Sequence, residues 1–184
     1  MKENHLLEVS HPSQIPERFR STPIGLLLEY HNMGREFVNY SGAQLLVGMC
    51  MDNRKHLNIP DNFAYIIRTG GANLRYSEFK VSYAIAVGGV RYIALIAHSN
   101  CGMVNLSARR EQFVRGLVQN AGWEEEMAAE HFHHYAPLFE IGNETDFVLS
   151  EVRRLRNRYP AVIIAPLYYK IEDNRLYCIA EDFF

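Results

Sequence analysis

The sequence is poor in cysteine and has no long apolar run, and each shortage excludes a class of protein. Its 184 residues include 3 cysteines, a number too small and too odd for a disulfide framework. The longest apolar stretches, such as residues 161–169, fall well short of the roughly 20 residues that cross a bilayer. The N-terminal sequence MKENHLLEVSHPSQ lacks the apolar core of a signal peptide. We therefore expect a cytoplasmic protein without a membrane partner.

An excess of charge of one sign is also lacking. Lysine and arginine together number 19 and aspartate and glutamate 21, so the formal net charge is −2 at pH 7. A nucleic-acid-binding surface usually needs a basic field, and we expect no nucleic-acid partner. Hydrophobic residues make up 48% of the chain, which is enough to fill the core of one globular domain and argues against disorder.

Apolar segments of strand and helix type alternate along the chain, which is typical of an α/β fold. Strands are predicted at residues 45–49, 64–67, 91–97, 161–169 and 175–180, and helices at residues 24–33, 77–87, 106–120, 124–135 and 144–158. We expect a single domain over residues 1–184 with an irregular N-terminal arm over residues 1–20. Its central sheet should be mainly parallel, with four to five strands flanked by helices. Pro166 cannot donate to a central ladder, so its half of the strand should lie at an edge or a bulge.

Metal-binding side chains follow two of the predicted strands. Cys50 ends the first strand, and His98 and Cys101 come directly after the third. In a doubly wound sheet, binding sites lie beyond the carboxyl ends of the strands. Two thiolates and one imidazole suit zinc with a fourth position open to water. The sequence therefore predicts that these three residues form a metal site.

Each of these residues taken alone has a simpler interpretation. A single cysteine or histidine after a strand is usually a core residue, and Asp52 with Arg54 could be a solvated ion pair worth under about 1 kcal/mol. Two clusters at two strand ends make coincidence the poorer explanation. A redox protein with a disulfide between Cys50 and Cys101 remains an alternative. Cys178 lies in a short apolar run and is interpreted as a buried structural thiol.

One pattern joins both clusters: Cys50-x-Asp52-x-Arg54, followed by His98-x-x-Cys101-Gly102. This pattern resembles the zinc signature of the β-class carbonic anhydrases, in particular of their compact branch. Residues 65–73 are similar to the apolar strand and Arg-Asn-Ala-Gly-type loop of that family, and the resemblance covers about residues 43–105.

The resemblance implies a carbonic anhydrase, a lyase that binds one zinc ion per chain through Cys50, His98 and Cys101. The implied reaction is the reversible hydration of CO2 to bicarbonate by a zinc-bound hydroxide. Carbonyl sulfide and carbon disulfide hydrolases share the same motif, and a non-catalytic member that binds zinc or bicarbonate is a further alternative. The family usually forms homodimers or higher homo-oligomers, and the terminal Phe183 and Phe184 would suit a subunit contact.

The resemblance also implies roles for the residues beside the ligands. Asp52 either accepts a hydrogen bond from the zinc-bound hydroxide or binds zinc itself in a closed, inactive site. Arg54 matters in both states because it holds the carboxylate and can release it. The backbone N–H of Gly102 is a candidate donor to a substrate oxygen. Because two thiolates cancel the charge of the metal, we expect activity to rise toward alkaline pH.

The sequence departs from the plant-type members of the family at three positions. Ser41 stands where those members carry a glutamine, Tyr65 where phenylalanine is common, and Gly70 where a bulkier apolar residue often lies. Shorter members also lack the glutamine, which favours the compact branch. Among the other histidines, His56 could pass protons to buffer, whereas the tract at residues 131–134 lies in an acidic helix and is interpreted as a solvated face.

Overall fold

The structure, a computed structural model, describes residues 5–183 and places six strands in one sheet. The strands are β1 (Leu6–Glu8), β2 (Leu45–Cys50), β3 (Ala64–Thr69), β4 (Tyr92–His98), β5 (Ile163–Lys170) and β6 (Arg175–Ile179). Their order across the sheet is β1-β6-β5-β4-β2-β3. Strands β2 to β5 pair in parallel, and β6 and β1 are added antiparallel. The predicted α/β fold with a mainly parallel sheet is confirmed.

Residues 5–183 contain six α-helices, and two of them begin with a capping side chain. The six helices are α1 (Glu17–Arg20), α2 (Pro23–Met33), α3 (Glu78–Ala86), α4 (Arg110–Ala121), α5 (Glu125–Phe139) and α6 (Glu144–Arg158). The Thr22 hydroxyl accepts hydrogen bonds at the start of α2, and the Asn143 side chain does so at the start of α6. Gly34 ends α2 in the left-handed conformation, with a φ of 64°. Within residues 5–183, none of the helices combines the length and apolarity needed to cross a bilayer.

The interior strands β2 and β4 are buried along almost their whole length because the sheet is covered on both faces there. On one face, Val47 of β2 belongs to an apolar cluster with Leu27 of α2. On the other face, Leu46 belongs to a cluster with Val81 of α3 and Val152 of α6. These two clusters form the core of a single domain and hold the carboxyl ends of β2 and β4 in place.

The described part of the N-terminal segment is more ordered than the sequence predicts. Strand β1 pairs with β6, with Leu7 opposite Cys178, and gives the sheet one strand more than the four to five expected. Val9 and Phe19 are buried in the core beside α2. A strand of three residues is too short to show an alternating apolar pattern in the sequence. Its hydrogen bonds come from β6, which lies far along the chain.

Pro166 lies at a local edge of the sheet, as predicted. It faces Leu95 of β4 on one side, whereas the pairing of β5 with β6 begins at Leu167. From Leu167 onward, β5 is an interior strand with neighbours on both sides. Proline is therefore accommodated where the second partner strand has already ended.

Candidate metal centre

The three predicted ligands lie together at the carboxyl edge of the sheet. Strands β2 and β4 are parallel neighbours, so Cys50 and His98 lie at adjacent strand ends, and Cys101 follows in the next turn. The ligand atoms of all three residues lie within 4.8 Å of one another. The exposed fractions of Cys50, His98 and Cys101 are 3%, 1% and 4%, so the cluster is shielded from solvent.

The imidazole of His98 is oriented by its own turn. Its Nδ1 donates to the Ser99 carbonyl oxygen at 2.9 Å. This bond places the proton on Nδ1 and leaves the Nε2 lone pair available. Nε2 is buried and has no hydrogen-bond partner among residues 5–183. Two sulfur atoms and one free imidazole nitrogen fit Zn²⁺ with a fourth position open, so the residues present suit the expected metal.

The two thiols of the cluster influence each other's ionisation. The Sγ of Cys101 donates to the Sγ of Cys50 at 4.0 Å. This hydrogen bond lowers the pKa of the Cys50 thiol. The same contact raises the pKa of the Cys101 thiol, and burial raises it further. The metal-free site therefore favours one thiolate over two, and a bound cation would favour ionisation of the second thiol.

Asp52 is held by Arg54 in a bidentate ion pair. The Arg54 Nη2 donates to Oδ2 at 2.6 Å, and its Nε and backbone N–H donate to Oδ1 at 3.0 and 2.9 Å. The guanidinium lowers the pKa of the Asp52 carboxyl below its usual range. Arg54 Nη2 also donates to the Asn100 carbonyl oxygen at 2.9 Å, which joins the loops after β2 and β4. Among the described residues, Asp52 is not part of the three-residue metal-type cluster.

Arg68 organises the loop that carries Cys50 and Asp52, a role that the sequence analysis did not assign. Its Nη1 donates to the carbonyl oxygens of Cys50 and Asp52 at 3.2 and 3.3 Å, and its Nη2 donates to that of Lys55 at 3.1 Å. The sequence feature that could have indicated this role is the position of Arg68 directly after the apolar residues of β3.

Lys55 is a second residue that the sequence analysis missed. It lies five positions after Cys50 in a polar loop, yet its exposed fraction is 0%. Its Nζ has no hydrogen-bond partner among the described residues. Burial lowers the pKa of the Lys55 ammonium group, whereas the nearby Cys50 and Asp52 anions raise it. No local pattern in the sequence distinguishes this lysine from an exposed one.

The loop that carries His98 and Cys101 is fixed by carboxylates. Glu144, the first residue of α6, accepts a hydrogen bond from the Cys101 backbone N–H at 3.3 Å. Glu172 accepts hydrogen bonds from the side chains of Ser99 and Asn100, both at 2.8 Å. These contacts connect the ligand-bearing turn to the helix and hairpin that follow it.

Gly102 lies in this turn beside open space. A Cβ built on Gly102 would meet no heavy atom within 4 Å. The role of its backbone N–H as a donor to a substrate oxygen stays a prediction.

An apolar cleft of about 360 Å³ opens next to the cluster. Met51 and Met103, which flank the two cysteine ligands in sequence, line it together with Gly70. Helix α5 forms the opposite wall through side chains that include Phe132 and Phe139. The cleft gives an uncharged small molecule an apolar surface beside the ligands.

The remaining candidate residues lie outside the cluster. Cys178 is a buried free thiol in β6, as predicted. His133 and His134 are exposed on α5, in agreement with a solvated face, whereas His131 is half-buried and packs edge-on against Trp123. Within residues 5–183, none of the three histidines of this tract belongs to a metal-type cluster.

No protein-family model and no curated protein matches the sequence. Solved structures match it at low identity. β-Carbonic anhydrase isoform I from Trichomonas vaginalis has a TM-score of 0.62 and 18% identity, covering 80% of this chain and 90% of that chain. A carbonic anhydrase from Glaciozyma antarctica has a TM-score of 0.59 and 20% identity, with 79% and 87% covered. The apo form of a carbon disulfide hydrolase has a TM-score of 0.54 and 23% identity, with 76% and 80% covered. This chain therefore has the fold of the β-carbonic anhydrases.

Proposed function

We propose that this protein is a zinc-dependent carbonic anhydrase that interconverts CO2 and bicarbonate. The observation that carries the proposal is the buried cluster of Cys50, His98 and Cys101, in which the Nδ1 of His98 is engaged and its Nε2 is free. This donor set suits one Zn²⁺ per chain with a position left for water or substrate.

Bound zinc would act as a Lewis acid that lowers the pKa of a water molecule, so that hydroxide is available near neutral pH. The chain supplies the surroundings of that chemistry. Burial of the three ligands keeps bulk water from competing for them, and the apolar cleft beside Met51 and Met103 receives the uncharged CO2.

Asp52 and Arg54 are proposed as the catalytic pair. The ionised Asp52 accepts a hydrogen bond from the attacking hydroxyl group and turns its lone pair toward the carbon of CO2. Arg54 holds both carboxylate oxygens and thereby keeps Asp52 away from the ligands, an arrangement that favours an open site. The backbone N–H of Gly102 is proposed to donate to a substrate oxygen in the open space beside it.

Stopped-flow CO2 hydration by the zinc-loaded protein between pH ~7 and ~9 tests the proposal. We expect a rate that rises with pH, because two thiolates neutralise the metal and make it a weaker acid than a metal held by neutral ligands. Asp52→Asn should abolish most of this rate, whereas Asp61→Asn, at an exposed site in the following loop, should not change it. Absence of hydration at every pH, with one zinc ion bound per chain, would contradict the proposal.

Hydrolysis of carbon disulfide or carbonyl sulfide is the second candidate. The apolar lining of the cleft suits these substrates as it suits CO2, because all three are small uncharged molecules. The carbon disulfide hydrolase among the similar structures shares the fold, with a TM-score of 0.54. Measuring sulfide release from either substrate, beside CO2 hydration in the same preparation, separates the two candidates.

We further propose that the protein acts as a homodimer or a higher homo-oligomer in the cytoplasm. Exposed apolar side chains on the edge strand β3 and on α3, including Ile66 and Phe79, support a subunit contact. The terminal aromatic contact expected from the sequence falls on Phe184 and the Phe183 side chain, which lie outside the described residues. Three free cysteines support a reducing compartment. Light scattering of the purified protein tests the oligomeric state.

A further inference from the structure

Lys55 is a buried cation that the proposed chemistry does not use. Its exposed fraction is 0%, and its Nζ has no hydrogen-bond partner within residues 5–183. Burying a charged group without a partner is costly. Anionic side chains close by offset part of this cost for Lys55.

The backbone ties Lys55 to the metal ligands. The guanidinium of Arg68 binds the carbonyl oxygens of Cys50, Asp52 and Lys55 together, so the loop after β2 closes around it. The backbone of Lys55 is therefore held by the same side chain as the backbone of Cys50 and of Asp52.

The charges that act on Lys55 belong to the same site. The anionic forms of Cys50, Asp52 and Cys101 attract its ammonium group, and Arg68 repels it. In the loaded site, two thiolates cancel the two charges of Zn²⁺, and Asp52 is already paired with Arg54. Lys55 adds a positive charge to this balance in a region shielded from water, where charges interact more strongly than at the surface.

We propose that Lys55 is a positioning residue whose buried ammonium group favours an anion at the open position of the metal centre. The anion is hydroxide, bicarbonate or a small monovalent analogue. The inference rests on the proposed metal site and, for the reaction itself, on the proposed function.

The test compares the wild-type protein with Lys55→Met, which keeps the length of the side chain and removes its charge. The control is Lys80→Met, at an exposed lysine on α3. Each protein is loaded with Co²⁺, and thiocyanate binding is followed through the visible spectrum of the metal. We expect Lys55→Met to weaken thiocyanate binding about tenfold, and the control to leave it unchanged. The pH midpoint of CO2 hydration by the zinc form should rise by about one unit in Lys55→Met alone.

Metal content and urea unfolding distinguish this role from a structural one. Replacing an unpartnered buried charge by an apolar side chain of similar size should leave the protein at least as stable, with a full complement of metal. Unchanged thiocyanate affinity in Lys55→Met would overturn the inference, and so would loss of metal or of the fold. If thiocyanate binding weakens as expected but the wild-type protein shows no CO2 hydration, the inference stands and the proposed function fails.

Discussion

The Sγ atoms of Cys50 and Cys101 lie 4.0 Å apart, although the two residues are separated by 51 positions in the chain. They meet because β2 and β4 are parallel neighbours and end at the same edge of the sheet. Two thiols at this distance cannot both ionise easily without a cation, so the site is built to gain stability from a metal.

Replacing Cys50 by serine should weaken zinc binding by more than about 100-fold, because a hydroxyl group is a far poorer ligand than a thiolate. Cys178→Ala is the matched control, since Cys178 is equally buried but lies outside the cluster. Zinc content after dialysis and competition with a chromophoric chelator measure the effect. Equal zinc affinity in Cys50→Ser and the wild-type protein would contradict the assignment of this ligand.

Replacing Arg54 by alanine should reduce CO2 hydration about 100-fold while zinc remains bound. The expected cause is the loss of the groups that hold both oxygens of Asp52 in position. Arg91→Ala, at an exposed position before β4, serves as the control. A normal rate in Arg54→Ala, measured by stopped flow with full zinc content, would remove the role proposed for Arg54.

The Asp52 carboxyl should contribute to stability at neutral pH and lose this contribution in acid. Arg54 lowers the pKa of Asp52 in the folded protein, whereas an unfolded chain has a value near ~3.9. The contribution is therefore present above pH ~4 and disappears as the pH falls through the lowered value. In urea unfolding of the metal-free protein, Asp52→Asn should be less stable than the wild-type protein at pH ~6. The difference in unfolding free energy between the two proteins should become smaller below pH ~4. A difference independent of pH would indicate another cause.

Gly48 should not tolerate a side chain, because β2 passes close to two buried leucines. A Cβ at Gly48 would lie 2.7 Å from Leu95 Cδ1 and 2.9 Å from Leu74 Cδ1. Gly48→Ala should therefore destabilise the fold by about 1–3 kcal/mol. Gly116→Ala on α4 has no such contact closer than 4.0 Å and should stabilise its helix by up to about 1 kcal/mol. Urea unfolding measures the change in unfolding free energy for both variants. If Gly48→Ala were as stable as the wild-type protein, the two leucines would have to move aside.

Local features of the sequence determined much of the fold and the identity of the candidate ligands. Helix α2 begins directly after Thr22 and α6 directly after Asn143, because each capping side chain satisfies N–H groups only two or three residues away. The position of Cys50 and His98 at the ends of apolar strands is likewise a local pattern. A parallel sheet then brings such strand ends together without further information.

The tertiary structure alone decided what surrounds those ligands. Burial of Lys55, the three carbonyl groups bound by Arg68 and the cleft wall supplied by α5 all depend on segments distant in the sequence. The same holds for β1, whose backbone hydrogen bonds come from β6 at the opposite end of the chain. Local propensity does not predict contacts between distant segments. Whether a polar side chain is buried depends on the elements that pack over it after the chain has folded.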